Sequence, residues 1–190
     1  MTRRRIVGFA IVVAAAAAVA IGLATRTSAS KPGAFARVSN DGRIVTLRPD
    51  ALTQRLGIDR ASLLAVRARR AYYLLETSKG PCAAVGMPDT PDQLGAAQCP
   101  EGHFPTAEHP VLDLSVYEST SHEERQISLY RAEGIAADGV AAVQFLRPDG
   151  ATALTVPVAG NVYSMTSVPP GPIAGVAALD KSGRRVWRSP

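Results

Sequence analysis

The chain is poor in aromatic residues, which make up 5% of it, and it contains one tryptophan and three histidines. So few rings provide no evident carbohydrate-binding platform, although Tyr72, Tyr73 and Trp187 are enough for a small one. Glycine-rich phosphate loops, the HExxH motif of zinc peptidases, the Rossmann fingerprint and the GxSxG nucleophile motif are all missing. The enzyme classes that these motifs define therefore have no support in the sequence.

Acidic residues are absent from the first 40 positions, and the first 31 contain the basic residues Arg3, Arg4, Arg5, Arg26 and Lys31. These five account for the formal net charge of +5, because the 16 basic residues that follow Lys31 equal the 16 acidic residues in number. A nucleic-acid-binding domain carries a surplus of basic side chains, and residues 32–190 have none. We therefore expect no nucleic-acid partner.

The first 30 residues predict an export segment, because residues 6–24 carry no charge and follow three arginines. A helix of this length would span roughly 28 Å, close to the ~30 Å of a membrane's hydrocarbon core. Two fates remain open. The segment is either a membrane anchor with the later residues outside, or a signal sequence cleaved near the small residues 27–29. Both predict an exported protein, tethered to the membrane by the N-terminal helix or secreted after cleavage.

Cys82 and Cys99 are the two cysteines of the chain. In an oxidising compartment, two cysteines of one domain favour a disulfide over reactive thiols. Their spacing contains no CxxC pair, so it is a poor zinc signature. We expect a disulfide between Cys82 and Cys99, and the sequence leads us to assign no cofactor, metal ligand or catalytic residue.

The first half after the export segment predicts a short linker, residues 31–34, and a β-rich portion, residues 35–110. Asn40-Asp41-Gly42 separates two β-prone runs, which predicts a hairpin of residues 35–39 with residues 43–47. Residues 49–57 predict one helix, since proline suits its start, glycine its end, and two leucines four residues apart share a face.

Residues 61–76 fit a helical stripe of apolar side chains, but the adjacent Tyr72 and Tyr73 favour a strand. We expect a hairpin of residues 71–76 with residues 82–86, joined by a Lys-Gly-Pro turn. Residues 87–110 are rich in proline, glycine and aspartate, and predict a long irregular loop held by Cys99.

Residues 111–190 show short apolar segments separated by glycine and proline turns, a pattern typical of a β-sandwich. The predicted strands are residues 111–117, 126–132, 140–146, 153–158, 162–165, 173–179 and 184–187. The fold class we predict is mainly β, with a sandwich preceded by a β/α portion and one apolar helix.

Two motifs of this half carry a resemblance. Gly134-Ile135-Ala136-Ala137-Asp138 has a G-x-A-x-D pattern, and Ala178-Leu179-Asp180-Lys181-Ser182-Gly183 has an A-x-D-x-x-G pattern. Roughly the last 80 residues thereby resemble the repeat unit of bacterial immunoglobulin-like domains of exported proteins. The sequence departs from them at Arg184, where asparagine often follows the last glycine. The resemblance implies an immunoglobulin-like sandwich that acts as an extracellular spacer, adhesion or binding module, and it transfers no catalytic residue.

The sequence contains few other candidates for metal-binding or catalytic residues. His103, His109 and His122 have acidic neighbours, but their spacing matches no metal-ligand pattern. The adjacent residues 121–123 have the residue types of a catalytic triad, yet sequence neighbours cannot generally align as one. Asp113 with Glu118 resembles a glycosidase pair in residue type alone. Asp138 and Asp180 suit either calcium ligation or the turns beside them, and turn formation is favoured.

We therefore expect a cell-envelope protein that acts by binding or structural contact, with an envelope protein or a glycan as its partner. The alternative is an envelope hydrolase that uses residues 87–110 as the rim of its active site.

Overall fold

The computed structural model describes residues 34–39, 42–87, 89–100, 104–119 and 127–189. Within these ranges the chain is mainly β with antiparallel sheets, which confirms the predicted β class. The apolar segment of residues 6–24 lies outside the described residues. Among the residues that are described, no helix is both long and apolar enough to cross a membrane.

Helical structure in the described chain is limited to a 3-10 turn and a single α-helix, and the remaining elements are strands. In chain order they are the turn Ala34–Ala36, β1 Arg43–Val45, α1 Ala51–Leu56, β2 Ile58–Arg67, β3 Arg70–Thr77, β4 Gly80–Gly86, β5 Leu94–Gln98, β6 Val111–Asp113, β7 Val116–Ser119, β8 Ile127–Ala136, β9 Ala142–Leu146, β10 Thr152–Pro157, β11 Val162–Met165, β12 Gly175–Leu179 and β13 Arg185–Arg188.

The first half forms a five-stranded antiparallel sheet in the order β1-β2-β3-β4-β5. The predicted hairpin of residues 71–76 with 82–86 is confirmed as β3 and β4. A two-residue turn joins β2 to β3, with Ala68 and Arg69 both at positive φ. Part of the helix-like spacing of apolar side chains in residues 61–76 is due to an irregularity in β2. A β-bulge between Leu63 and Ala65 breaks the alternation of β2 and places Leu64 and Ala65 against the same apolar cluster.

The predicted helix is confirmed as α1. Asp50 accepts hydrogen bonds from the backbone N–H groups of Leu52 and Thr53, while the Thr53 hydroxyl accepts one from the Asp50 backbone. This reciprocal capping, above all the bond from Thr53, lowers the pKa of Asp50. Gly57 ends the helix at a φ of 58°, a left-handed conformation that glycine adopts easily.

The predicted hairpin of residues 35–39 with 43–47 is wrong, because β1 pairs with β2 and residues 37–39 form no strand. Asp138, at the turn between β8 and β9, binds this segment instead. Its carboxylate accepts a hydrogen bond from the Ser39 backbone at 3.0 Å and pairs with the Arg37 guanidinium at 3.3 Å. Partial burial acts to raise the pKa of Asp138, but the bonds from Ser39 and Asn161 and the charge of Arg37 lower it overall.

The prediction that residues 87–110 form one irregular loop is also wrong. Residues 94–98 form β5, which pairs with β4 through a register that includes Ala83 opposite Gln98. The described residues before β5, which are 87 and 89–93, form a loop closed by a hydrogen bond from the Met87 N–H to the Gln93 carbonyl at 2.9 Å, and this is the 87–93 loop. The cysteine-held segment therefore extends the sheet by one edge strand.

Two antiparallel sheets follow in the second half. One has the order β11-β8-β6, with β7 also paired to β8, and the other has the order β10-β9-β12-β13. The single strand predicted over residues 111–117 is divided into β6 and β7, with Leu114 and Ser115 between them. The hydroxyl of Ser115 instead accepts a hydrogen bond from the Glu133 N–H at 3.0 Å.

Three layers result, with the β6–β8–β11 sheet in the middle. Side chains alternate between the two faces of this sheet. On one face Ala132, Ala136 and Tyr163 pack against the β10–β9–β12–β13 sheet, an arrangement consistent with a β-sandwich. On the other face Ile135 and Val162 pack against the five-stranded sheet. The far side of the five-stranded sheet is covered in part by α1.

Gly134 is needed in the middle of β8 because Tyr163 lies directly across it. A Cβ atom at Gly134 would overlap both the Leu112 carbonyl oxygen and the Tyr163 hydroxyl. The Tyr163 hydroxyl instead reaches Asp113 and donates a hydrogen bond to it at 3.0 Å. Burial raises the pKa of Tyr163 well above its usual value, which keeps this donor protonated.

Candidate functional site: a groove beside the first strand

The sequence-predicted candidate residues do not come together in the described part of the chain. His109 is exposed, whereas His103 and His122 lie outside the described residues. Tyr72 and Tyr73 are buried, and Trp187 is partly buried against the apolar core of the second half. The interpretation of these three rings as a small exposed stacking platform is therefore wrong.

The aspartates considered for ligand binding have structural partners. Asp113 accepts hydrogen bonds from the hydroxyls of Tyr117 and Tyr163. Asp180 accepts bonds from Ser182 and Arg184 within its own turn, and the bond from the Ser182 hydroxyl above all lowers its pKa. Asp138 binds the segment before β1, as described above. Among the described residues, no three histidine, cysteine, aspartate or glutamate side chains are placed to share a metal ion.

Cys82 and Cys99 form a disulfide, as predicted. Cys82 lies on β4 and is fully buried, and Cys99 follows β5, so the bond joins two neighbouring strands at their ends. Both sulfurs lie on the sheet face that α1 covers, in the cluster that contains Leu52 and Leu56. The disulfide thereby fixes the strand that follows the 87–93 loop.

A groove of about 510 Å³ opens on this same sheet face, between β1 and the 87–93 loop. Ligand-binding pockets commonly have volumes of about 300–1,000 Å³ and apolar walls with a few polar groups. Its lining surface is about equally polar and apolar and comes from four separate segments. The lining residues are Arg43, Ile44, Val45, Thr46, Leu63, Val66, Ala71, Tyr73, Pro91 and Asp92.

The strand registers explain how these residues meet. Arg43 lies opposite Leu63, and Leu63 lies opposite Tyr73, so one row crosses β1, β2 and β3. Val66 opposite Ala71 forms the next row. The Tyr73 hydroxyl donates a hydrogen bond to the Pro91 carbonyl at 2.6 Å, which holds the loop against the end of the row. Burial raises the pKa of Tyr73, and Asp92 adds to this effect.

The edge of β1 forms part of the groove wall. Successive side chains of a strand point to opposite faces, yet the four consecutive residues 43–46 all line the groove. The strand backbone must therefore contribute to the wall as well as the side chains on one face. β1 is the terminal strand of its sheet, so no further strand of the described chain pairs with its outer edge.

Two large apolar side chains are exposed near the groove. Val66 lines the groove and is 57% exposed, whereas the Ile44 side chain is 62% exposed on the opposite face of β1 from Arg43 and Val45. Exposed apolar side chains beside an open strand edge suit contact with a partner.

Only one of the two charged residues in the groove lacks an ion pair within the described chain. Asp92 pairs with Arg48 at 3.3 Å, and the Arg48 backbone N–H donates to the Asp92 carbonyl at 2.8 Å. Arg43 is exposed, and no described carboxylate lies within ion-pair distance of it. The groove therefore has a mixed polar and apolar lining, and Arg43 is the positive charge that β1 contributes to it.

The other face of β3 is fixed by a buried polar cluster. Arg70 and Tyr72 alternate with the groove residues Ala71 and Tyr73, so they point toward the middle sheet. There the Tyr72 hydroxyl donates a hydrogen bond to Glu133 at 2.7 Å and lies 2.9 Å from the Ser164 hydroxyl. Burial holds the pKa of Tyr72 well above its usual value, so this hydroxyl remains a donor.

Glu133 is the anion at the centre of the cluster, with 1% of its side chain exposed. The guanidinium groups of Arg70 and Arg131 lie 3.6 Å and 3.8 Å from its Oε2 atom. Within the described chain, Arg70 Nε, Arg131 Nη1 and Glu133 Oε1 are buried without a hydrogen-bond partner. The cluster therefore holds β3 on β8 mainly through charge, together with the bond from Tyr72.

Sequence reasoning missed both the groove and the cluster, because their residues are far apart in the chain. Tyr72 and Glu133 are 61 positions apart, and the sequence around either residue does not predict a contact with the other. The available signals were Arg131 and Glu133 close together at the end of one predicted strand and the alternation of residues that point to opposite faces over 70–73. No protein-family model, curated protein or solved structure matches this chain.

Proposed function

We propose that this chain is an exported cell-envelope protein that acts by binding a partner at the β1 groove. The uncharged run of residues 6–24 after three arginines supports export. It either anchors the protein with the later residues outside the membrane or is cleaved to release them. The Cys82–Cys99 disulfide supports the same location, because such bonds persist in oxidising compartments.

The groove is the observation that carries the binding proposal. It combines a lining of mixed polar and apolar surface, a bordering strand edge with no neighbour in the described chain, and the exposed side chain of Val66. These are features of recognition surfaces in which backbone groups supply affinity and side chains supply selectivity. The envelope partner is a protein or a glycan.

We further propose that residues 111–190 form an immunoglobulin-like sandwich that carries the groove-bearing sheet. The distribution of strands supports this assignment, since β6, β8 and β11 lie in one sheet and β10, β9, β12 and β13 in the other. The conformational roles of Gly134 and Asp180 support it as well, because both belong to the motifs that carry the resemblance.

Site-specific photocrosslinking in intact cells tests the binding proposal. A benzophenone amino acid in place of Val66 is expected to give a discrete covalent adduct of the full-length protein. The matched control is the same amino acid in place of Tyr130, since both positions are 57% exposed and Tyr130 lies on β8, away from the groove. No adduct from Val66, or the same adduct from both positions, would contradict the groove as the binding surface.

A further inference from the structure

We propose that the partner is an extended acidic peptide segment of an envelope protein, which adds to the five-stranded sheet as a new strand beside β1, at the rim of the groove. This inference rests on the proposed function and specifies the partner at the same site.

The open edge of β1 determines the conformation of the partner. A strand that lies alongside β1 receives backbone hydrogen bonds from an edge that has no strand partner in the described chain. Its backbone lies close to the wall formed by residues 43–46. Strand addition of this kind requires an extended peptide, because only that conformation presents N–H and C=O groups at matching intervals.

The charge of the groove determines the chemistry of the partner. Asp92 already pairs with Arg48, so Arg43 is the groove charge left without an ion pair among the described residues. A directly opposite cross-strand neighbour of Arg43 is stabilised if it is acidic and destabilised if it is basic.

The alternation of side chains along β1 indicates which residues the partner needs on each face. Arg43 pairs with Leu63 and Val45 with Ala61, so both project to the groove face. Ile44 projects to the other face, where it is 62% exposed. The best-matched peptide therefore has an acidic residue opposite Arg43 and an apolar residue opposite Ile44, on opposite faces of the added strand.

Direct binding tests this inference on the full-length protein in detergent micelles. The ligand is a fluorescent, end-capped heptapeptide of alternating glutamate and valine, and binding is followed by fluorescence anisotropy. We expect it to bind about three- to tenfold more tightly than the same peptide with lysine in place of glutamate. Equal affinity for the two peptides, or no binding of the acidic one, would overturn the inference.

Charge reversal at the groove provides the decisive comparison. Arg43→Glu is expected to reverse the order, so that the lysine peptide binds more tightly than the glutamate peptide. The control is Arg147→Glu, which makes the same change at an exposed turn position of the second half and should preserve the original order. An unchanged order in Arg43→Glu contradicts the proposed site.

Two further outcomes separate strand addition from other modes of binding. A central proline in the glutamate peptide removes a backbone donor and should weaken binding, whereas unchanged affinity would exclude strand addition. After proteinase digestion of the adduct from position 66, an attached mass that is a lipid or a glycan and not a peptide would identify a partner of that class. That result would overturn the peptide inference while the groove remained a binding surface.

Discussion

Replacing Glu133 with alanine is expected to lower the free energy of unfolding by about 3–5 kcal/mol. The substitution leaves the partly buried guanidinium groups of Arg70 and Arg131 without their anion, and it removes the acceptor of the Tyr72 hydroxyl. Denaturation of the full-length protein in detergent, followed by the fluorescence of Trp187, measures the change.

Two further variants show whether the loss of stability comes from the buried charge of Glu133. Glu76→Ala removes the same type of charge from an ion pair with Arg60 in which both side chains are about half exposed, so it should cost about 0–1 kcal/mol. Glu133→Gln keeps an acceptor for Tyr72 but removes the charge, and we expect an intermediate loss. If Glu133→Ala and Glu76→Ala had the same small effect, the cluster would not be what holds β3 on β8.

Loss of the disulfide is expected to lower the free energy of unfolding by about 3 kcal/mol, because the bond closes a loop between residues that are 17 positions apart. The double variant Cys82→Ala/Cys99→Ala and the reduced wild-type protein should show similar losses in the same denaturation experiment. Reductant should leave the double variant unchanged, which provides the internal control.

Mass spectrometry of the full-length protein, isolated from the cell envelope and digested without reductant, checks the bond itself. The peptides that contain Cys82 and Cys99 should be recovered as one linked species. Recovery of both as free thiols would contradict the bond and the proposed oxidising location. Because the disulfide fixes β5, its loss should also loosen the 87–93 loop that forms part of the groove.

The elements that were predicted well depend on local chemistry. The helix α1 has its capping residue and its terminal glycine within eight positions of each other, Asp50 to Gly57. Most strands of the second half are bounded by glycine or proline turns, and β11 matches its predicted range of 162–165. In these segments, neighbouring residues carry enough information to place an element.

The failures depend on contacts between distant residues. Residues 35–39 have a β-prone composition, but the Ser39 backbone is bound by Asp138, 99 positions away. The strand β5 has the sequence Leu-Gly-Ala-Ala-Gln, which has little intrinsic β preference, so its pairing with β4 decides its conformation. The groove could not be predicted for the same reason, since its lining comes from four segments that the sheet brings together.

Amide hydrogen exchange of the full-length protein, with and without the glutamate–valine peptide, is the most direct test of the β1 groove as a strand-binding site. Residues 43–46 and the adjoining parts of β2 and β3 should exchange more slowly when the peptide is bound, because a new strand would cover the edge of β1. The strands β5, β10 and β13 also lie at sheet edges and serve as references within the same molecule. Protection confined to those edges, with unchanged exchange at residues 43–46, would contradict the groove as the binding site.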